Sequence, residues 1–250
     1  RLRKGGMGAQ FWSVYVPAST MRSGNAYEMT LEQIDLVHRL AAKYPDDLEM
    51  AYSVEDIRRI RAEGKIASLI GVEGGHSIEN SMDKLVDLYN KGARYMTITH
   101  SKSLSWADSA TDFSRVSGLN NFGRQVIEKM NELGFLVDIS HVSVNAMKDI
   151  LEVATAPVIA SHSSARYLNS HARNIPNDVL RLVRENGGVI MVNFYNAYIQ
   201  YGSTDEEINQ LFGYGCNHDA ENFPRQTDYI HNQGELAFDQ ELEARVDVDT

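Results

Sequence analysis

Short apolar runs alternate with amphipathic helical runs through residues 2–199, and this alternation limits the fold more than any other feature of the 250-residue chain. Strands are expected at residues 10–16, 66–72, 94–99, 135–139, 157–160 and 189–194. Between them, apolar residues recur at helical spacing. The clearest case is residues 30–43, with Leu31, Ile34, Leu36, Val37, Leu40 and Ala41 on one stripe. Further helices are expected at 54–63, 81–90, 122–133, 144–153 and 178–185, several followed by a glycine that can stop them. Strands apolar on both faces and separated by helices make a parallel sheet covered by helices.

An open doubly wound sheet and a closed barrel both fit that pattern. The placement of polar residues favours the barrel. Glu73, His100, His141, His162 and Asn193 each fall at or just past the C-terminal end of an expected strand. Barrel enzymes gather their chemistry from many strand ends onto one face, whereas an open sheet concentrates ligands at one switch point. The expected fold is therefore α/β, a (β/α)8 TIM-type barrel of which this chain holds about six strand–helix units. Residues 1–199 form this partial barrel. Residues 200–250 are polar and acidic and read as an excursion from the same domain, with an exposed helix at 234–244. Because a closed barrel of this type needs eight strands, the chain is expected to be cut at both ends.

Hydrophobic residues make up 43% of the chain, enough for a sizeable core. The formal net charge of -10, with no basic run beyond Arg1-Leu-Arg-Lys4, argues against a nucleic-acid partner. One cysteine, Cys216, excludes an intrachain disulfide. No apolar run is long enough to span a bilayer, and no signal peptide opens the chain, which leaves the compartment unassigned.

Four clusters can carry chemistry. In Gly71-Val-Glu-Gly-Gly-His76, an acidic strand end meets two glycines that permit close backbone approach, which suits a metal site. The plain alternative is a turn with a solvated glutamate, and His76, past the turn, reads as a supporting residue. Thr97-Ile-Thr-His-Ser101 offers His100, which can bind metal, polarise a carbonyl or cap the loop; Trp106 and Asp108 beyond it shape that loop. Val137-Asp-Ile-Ser-His-Val142 and Val158-Ile-Ala-Ser-His-Ser-Ser164 repeat one theme, an apolar strand and then Ser-His. One such histidine is commonly structural. Two on neighbouring strands point the same way, and with Glu73 they offer N, N and O donors, which suits zinc. Asp138 points into the core or pairs with a neighbour. Arg173, in a loop near these residues, can grip a carboxylate bidentately. His38 reads as a surface or packing residue and His171 as solvent-facing, and Cys216, His218 and His231 show no zinc-binding spacing.

These motifs, together with Gly8-Ala-Gln-Phe-Trp-Ser-Val-Tyr15, Arg173-Asn-Ile-Pro176 and Met191-Val-Asn-Phe-Tyr-Asn196, resemble those of the membrane (renal) dipeptidases, zinc peptidases built on amidohydrolase-like barrels. The resemblance runs from about Gly5 to Ile199. It implies two zinc ions, with Glu73 as a bridging carboxylate and His141 and His162 as ligands of one metal. It implies His100 as the catalytic histidine at the scissile group, Arg173 on the substrate carboxylate, and Asn193 among the substrate contacts. The implied reaction is hydrolysis of a dipeptide through a metal-bridged hydroxide, and a homodimer is a candidate assembly. The family's His-x-Asp motif does not occur upstream of Gly5, nor its late Gly-x-Asp-Phe-Asp-Gly-like segment before Thr250, and both are expected to lie beyond the cut ends. Two rival readings are a non-catalytic dipeptidase-like protein lacking the first metal site, and another metal-dependent barrel amidohydrolase.

Overall fold

A computed structural model describes residues 2–199 of the protein. The stretch read as a polar excursion, with its helix at 234–244, lies outside the described residues.

The backbone builds one curled, all-parallel sheet flanked by helices. Strand β1 (Ala9–Val14) is followed by helices α1 (Thr20–Ser23) and α2 (Ala26–Lys43), the short strand β2 (Leu48–Met50) and helix α3 (Val54–Ala62). Strand β3 (Ile66–Glu73) leads to α4 (Met82–Asn90), β4 (Ala93–Thr97), α5 (Asn121–Leu133) and β5 (Leu136–Asp138). Then come α6 (Val144–Val153), β6 (Ile159–Ala160), α7 (Asn177–Asn186), β7 (Val189–Ile190) and α8 (Asn196–Ile199). The strands lie in the order β1-β3-β4-β5-β6-β7, with β2 paired to the start of β3. From β3 to β7 neighbours in space are neighbours in sequence, whereas β1 skips β2 to pair with β3, and each crossover carries a helix. This is the wall of an incomplete TIM-type barrel, as the alternation implied.

Local chemistry sets the helix ends. Ser53, Ser81, Asn120 and Ser143 each accept a hydrogen bond from the backbone N–H three residues on, at the starts of α3, α4, α5 and α6. Gly134 and Gly187 close α5 and α7 in the left-handed conformation that side chains resist. The inward stripes of α5 (Val126, Ile127, Met130), α6 (Ala146, Met147, Ile150) and α7 (Val179, Leu180, Val183) join Ile70, Val72, Met96 and Val137 from the sheet in one core. Strand β3 is buried along nearly its whole length, as an interior strand of a covered sheet must be.

Several expected boundaries shift. The strand expected at 189–194 stops at Ile190, because the side-chain oxygen of Asn193 accepts the Tyr195 N–H (2.7 Å) and turns the chain towards α8. The strand expected at 157–160 shrinks to Ile159–Ala160, since Val158 N is taken by the Asn186 side chain. Helix α2 begins before residue 30, and β2 was not anticipated because its pairing to β3 is brief.

One close approach fixes the wall. A Cβ placed on Gly71 would lie 2.1 Å from the ring of Tyr95 on the neighbouring strand. The missing side chain of Gly71 is the space that Tyr95 fills. Gly71→Ala should therefore overpack the sheet and lower the unfolding free energy by about 1–3 kcal/mol, read from urea denaturation.

Candidate metal centre

The site grows from the sheet register. Glu73 on β3 is paired with Thr97 on β4, Thr97 with Asp138 on β5, and Asp138 with Ile159 on β6. His100, His141 and His162 each follow their own member of this rank by three residues. Equal offsets from one rank of paired residues deliver three imidazoles to a common height above Glu73. The Gly74-Gly75 turn lets β3 end there. Gly74 has φ +125°, and a Cβ on it would strike the His76 ring at 2.4 Å. His76 tucks beneath the turn and donates from Nε2 to Val16 O (2.8 Å), a supporting role as expected.

Glu73 Oε1 lies 3.3 Å from His141 Nε2, 3.3 Å from His162 Nε2 and 3.8 Å from His100 Nε2. Its other oxygen accepts the hydroxyl of Ser13 from β1 (2.9 Å), so the carboxylate is held in one orientation. The Nε2 atoms of His141 and His162 come within 2.7 Å of each other. His100 stacks on His141 with ring centres 4.2 Å apart and packs against Tyr15 on its other side. Among the described residues, Glu73, His141 and His162 are the one set of three such side chains whose ligand atoms gather, all within 4.8 Å.

The charge states suit a cation. Burial alone would raise the Glu73 carboxyl, but the two imidazoles beside it outweigh burial and hold it well below the usual carboxylate range. Burial pushes His141 well below the ordinary histidine value. A carboxylate beside a neutral imidazole is the ligand state that divalent metals need. His100 is also pushed down, to about 4, chiefly by burial, and its Nδ1 is buried with no hydrogen-bond partner among the described residues.

His141 is set by a loop as well as by its strand. Its φ is +70°, a left-handed conformation uncommon for a side-chain-bearing residue and frequent at functional sites. Its carbonyl accepts Ala110 N (2.7 Å), while Asp108 O accepts Ser143 N (2.8 Å), so the loop clamps both sides of the turn. Asp108 organises that loop by accepting from Arg115 N, Val116 N, Gly118 N and the Ser114 hydroxyl. Trp106 is buried beneath it against Phe122. Both residues shape the loop, as their sequence context suggested.

Arg173 is buried beside the cluster, with Nη1 3.4 Å and Nη2 3.3 Å from His162 O and its guanidinium over the Tyr198 ring. Asn193 is engaged locally: its carbonyl accepts the Ser164 hydroxyl (3.0 Å) and its side chain turns the chain. His171 is half-buried rather than solvent-facing, stacked on Tyr198 and accepting Arg173 N at Nδ1. Sequence reasoning overlooked Ser13, Ser161 and Tyr198. Only the repeated Ser-His pairs hinted at a role for serine.

The sequence profile of the membrane dipeptidases, Peptidase family M19, matches residues 1–232. Dipeptidase 3 of Mus musculus is 45% identical over 205 residues, covering 80% of this chain and 41% of that protein. The chain thus spans less than half the length of the curated relatives it matches. Among solved structures, the probable dipeptidase PvdM from Pseudomonas aeruginosa has a TM-score of 0.74 at 24% identity, over 79% of this chain and 53% of that one. A metallo peptidase from Rhodobacter sphaeroides, liganded with a phosphinate mimic of the dipeptide L-Ala-D-Ala, has a TM-score of 0.72 at 20% identity, over 79% and 64%. At such identities the likeness is one of fold.

The buried histidines predict a pH dependence. His76, His100 and His141 are all lowered in the folded protein, chiefly by burial. Unfolded, they return to about 6.5 and bind more protons than the folded chain below that pH. Their contribution to stability is full above pH 6.5 and is lost as the pH falls towards the folded value, about 4 for His100. Urea midpoints of metal-free protein, measured from pH 7 to pH 4, should fall, and His100→Asn should flatten the descent.

Proposed function

Because this chain belongs to the membrane dipeptidase family, Peptidase family M19, we propose that it is the metal-binding part of a zinc-dependent dipeptidase. The observation that carries this reading is the approach of Glu73 Oε1 to His141 Nε2 and His162 Nε2, each at 3.3 Å. One carboxylate oxygen and two imidazole nitrogens are a donor set that suits zinc. When bound, the metal would lower the pKa of water and polarise the peptide carbonyl.

The chain's own side chains do the rest. Glu73, locked by Ser13, presents Oε1 to the centre and leaves its second oxygen engaged. His100 is uncharged near neutral pH, because burial holds it near 4. It can therefore donate one N–H to the oxygen on which charge develops, in a geometry already fixed by its stacking on His141 and Tyr15. Arg173 keeps its charge and offers a planar fork to the C-terminal carboxylate of a dipeptide. Held against His162 O, it would keep that carboxylate close to the residues that would hold the metal, which would favour short peptides.

Two predictions test the reading in the purified protein. Glu73→Gln or His162→Ala should lose bound zinc and dipeptide hydrolysis together; turnover with unchanged metal content would overturn the assignment. Arg173→Lys should raise KM for a dipeptide about 10–100-fold, the worth of a charge-assisted hydrogen bond, with a smaller effect on kcat.

A further inference from the structure

Behind His162 lies a chain of polar groups that the proposed chemistry does not use. Asp138 is fully buried at the end of β5. Its Oδ1 accepts the backbone N–H groups of Ser140 (2.9 Å) and Ser161 (3.0 Å). Its Oδ2 accepts the hydroxyls of Thr97 (2.6 Å) and Ser161 (2.6 Å). The Ser161 hydroxyl also lies 2.7 Å from His162 Nδ1.

Proton counting fixes the direction of this chain. With four donors around it, the Asp138 carboxyl group is an acceptor on both oxygens. A serine hydroxyl has a single proton, and that of Ser161 is committed to Asp138. Towards His162, Ser161 therefore has only lone pairs, so Nδ1 must be the nitrogen that carries hydrogen. The lone pair of His162 is then on Nε2, the atom facing Glu73 (3.3 Å) and His141 (2.7 Å). Had Ser161 donated to Nδ1, the proton would sit on Nε2 and block the centre.

We propose that Asp138 and Ser161 are positioning residues: through the Asp138–Ser161–His162 chain they fix the tautomer of His162 and aim its Nε2 lone pair at the metal centre. The proposal rests on the metal reading for its purpose, but the tautomer exists without the metal. Hydrogen bonds behind a ligating histidine fix its ring and strengthen it as a ligand, and losing them typically lowers metal affinity about 10–100-fold. The same carboxylate holds the backbone of Ser140 and Ser161, so ring orientation and strand-end alignment share one anchor.

The test uses the full chain with 15N-labelled histidine, assigning His162 by comparison with His162→Gln. In metal-free wild type, nitrogen spectra should show His162 protonated at Nδ1 and bare at Nε2. Asp138→Asn should reverse this, because the amide nitrogen donates to Ser161, which must then donate to Nδ1. Ser161→Ala should bind Zn2+ about 10–100-fold more weakly than wild type, and Ser161→Thr, which keeps the hydroxyl, should restore most of the affinity. A wild-type His162 protonated at Nε2 overturns the proposal and needs no variant to fold. Ser161→Ala binding Zn2+ as tightly as wild type overturns it too. If wild type shows the expected tautomer yet takes up no Zn2+, the relay stands and the metal reading fails. Tight Zn2+ binding with the opposite tautomer has the reverse meaning.

Discussion

The carboxylate of Asp138 joins three strand ends with four hydrogen bonds, and the rest of the site depends on that junction. It takes the Thr97 hydroxyl from β4, the Ser140 N–H just beyond its own strand, and both the N–H and hydroxyl of Ser161 just beyond β6. Strands β5 and β6 are only three and two residues long, too short for ladder bonds alone to hold their register. A buried acceptor that left any of these donors unmet would cost about 1–3 kcal/mol for each. Register errors at the strand ends are penalised accordingly, and the histidines that follow inherit the accuracy. Ser140 reinforces the same junction by accepting His162 N (3.0 Å).

The site also sets apolar surroundings against polar function. Burial favours neutral imidazoles and opposes a charged carboxylate, yet Glu73 is held ionised by the two rings beside it. Each group alone would be costly at that depth, and together they satisfy one another around a shared centre. Such a constellation stores affinity for a cation. The loop ordered by Asp108 lies over the base of the site and fixes His141, so the site is built by strand ends from below and by a turn from the side.

Much of this was legible before any coordinates. Hydrophobic periodicity located the six principal strands, because a covered parallel sheet leaves continuous apolar runs. The strand-end positions of Glu73, His100, His141 and His162 followed from the same pattern. Strand β2 and the true end of β7 were not legible, since brief pairing and an asparagine-led turn leave almost no periodic signal. The junction at Asp138 was hidden for another reason. Its partners Thr97 and Ser161 lie 41 and 23 residues away, and only the register shows that they meet. The Ser-His pairs were visible as a repeat, but which way a hydroxyl points is a property of the folded neighbourhood.

The left-handed backbone of His141 ties the site to the β4–α5 loop. An unconstrained histidine favours extended or right-handed helical conformations. Strand pairing alone can place Glu73 and His162, but it does not impose a positive φ on residue 141. That conformation is secured where the turn meets Ala110 N and Asp108 O. The third donor therefore depends on the contact between the turn and the β4–α5 loop as well as on the sheet. A change confined to the β4–α5 loop, far along the chain from Glu73 and His162, would reach the centre through the backbone of residue 141.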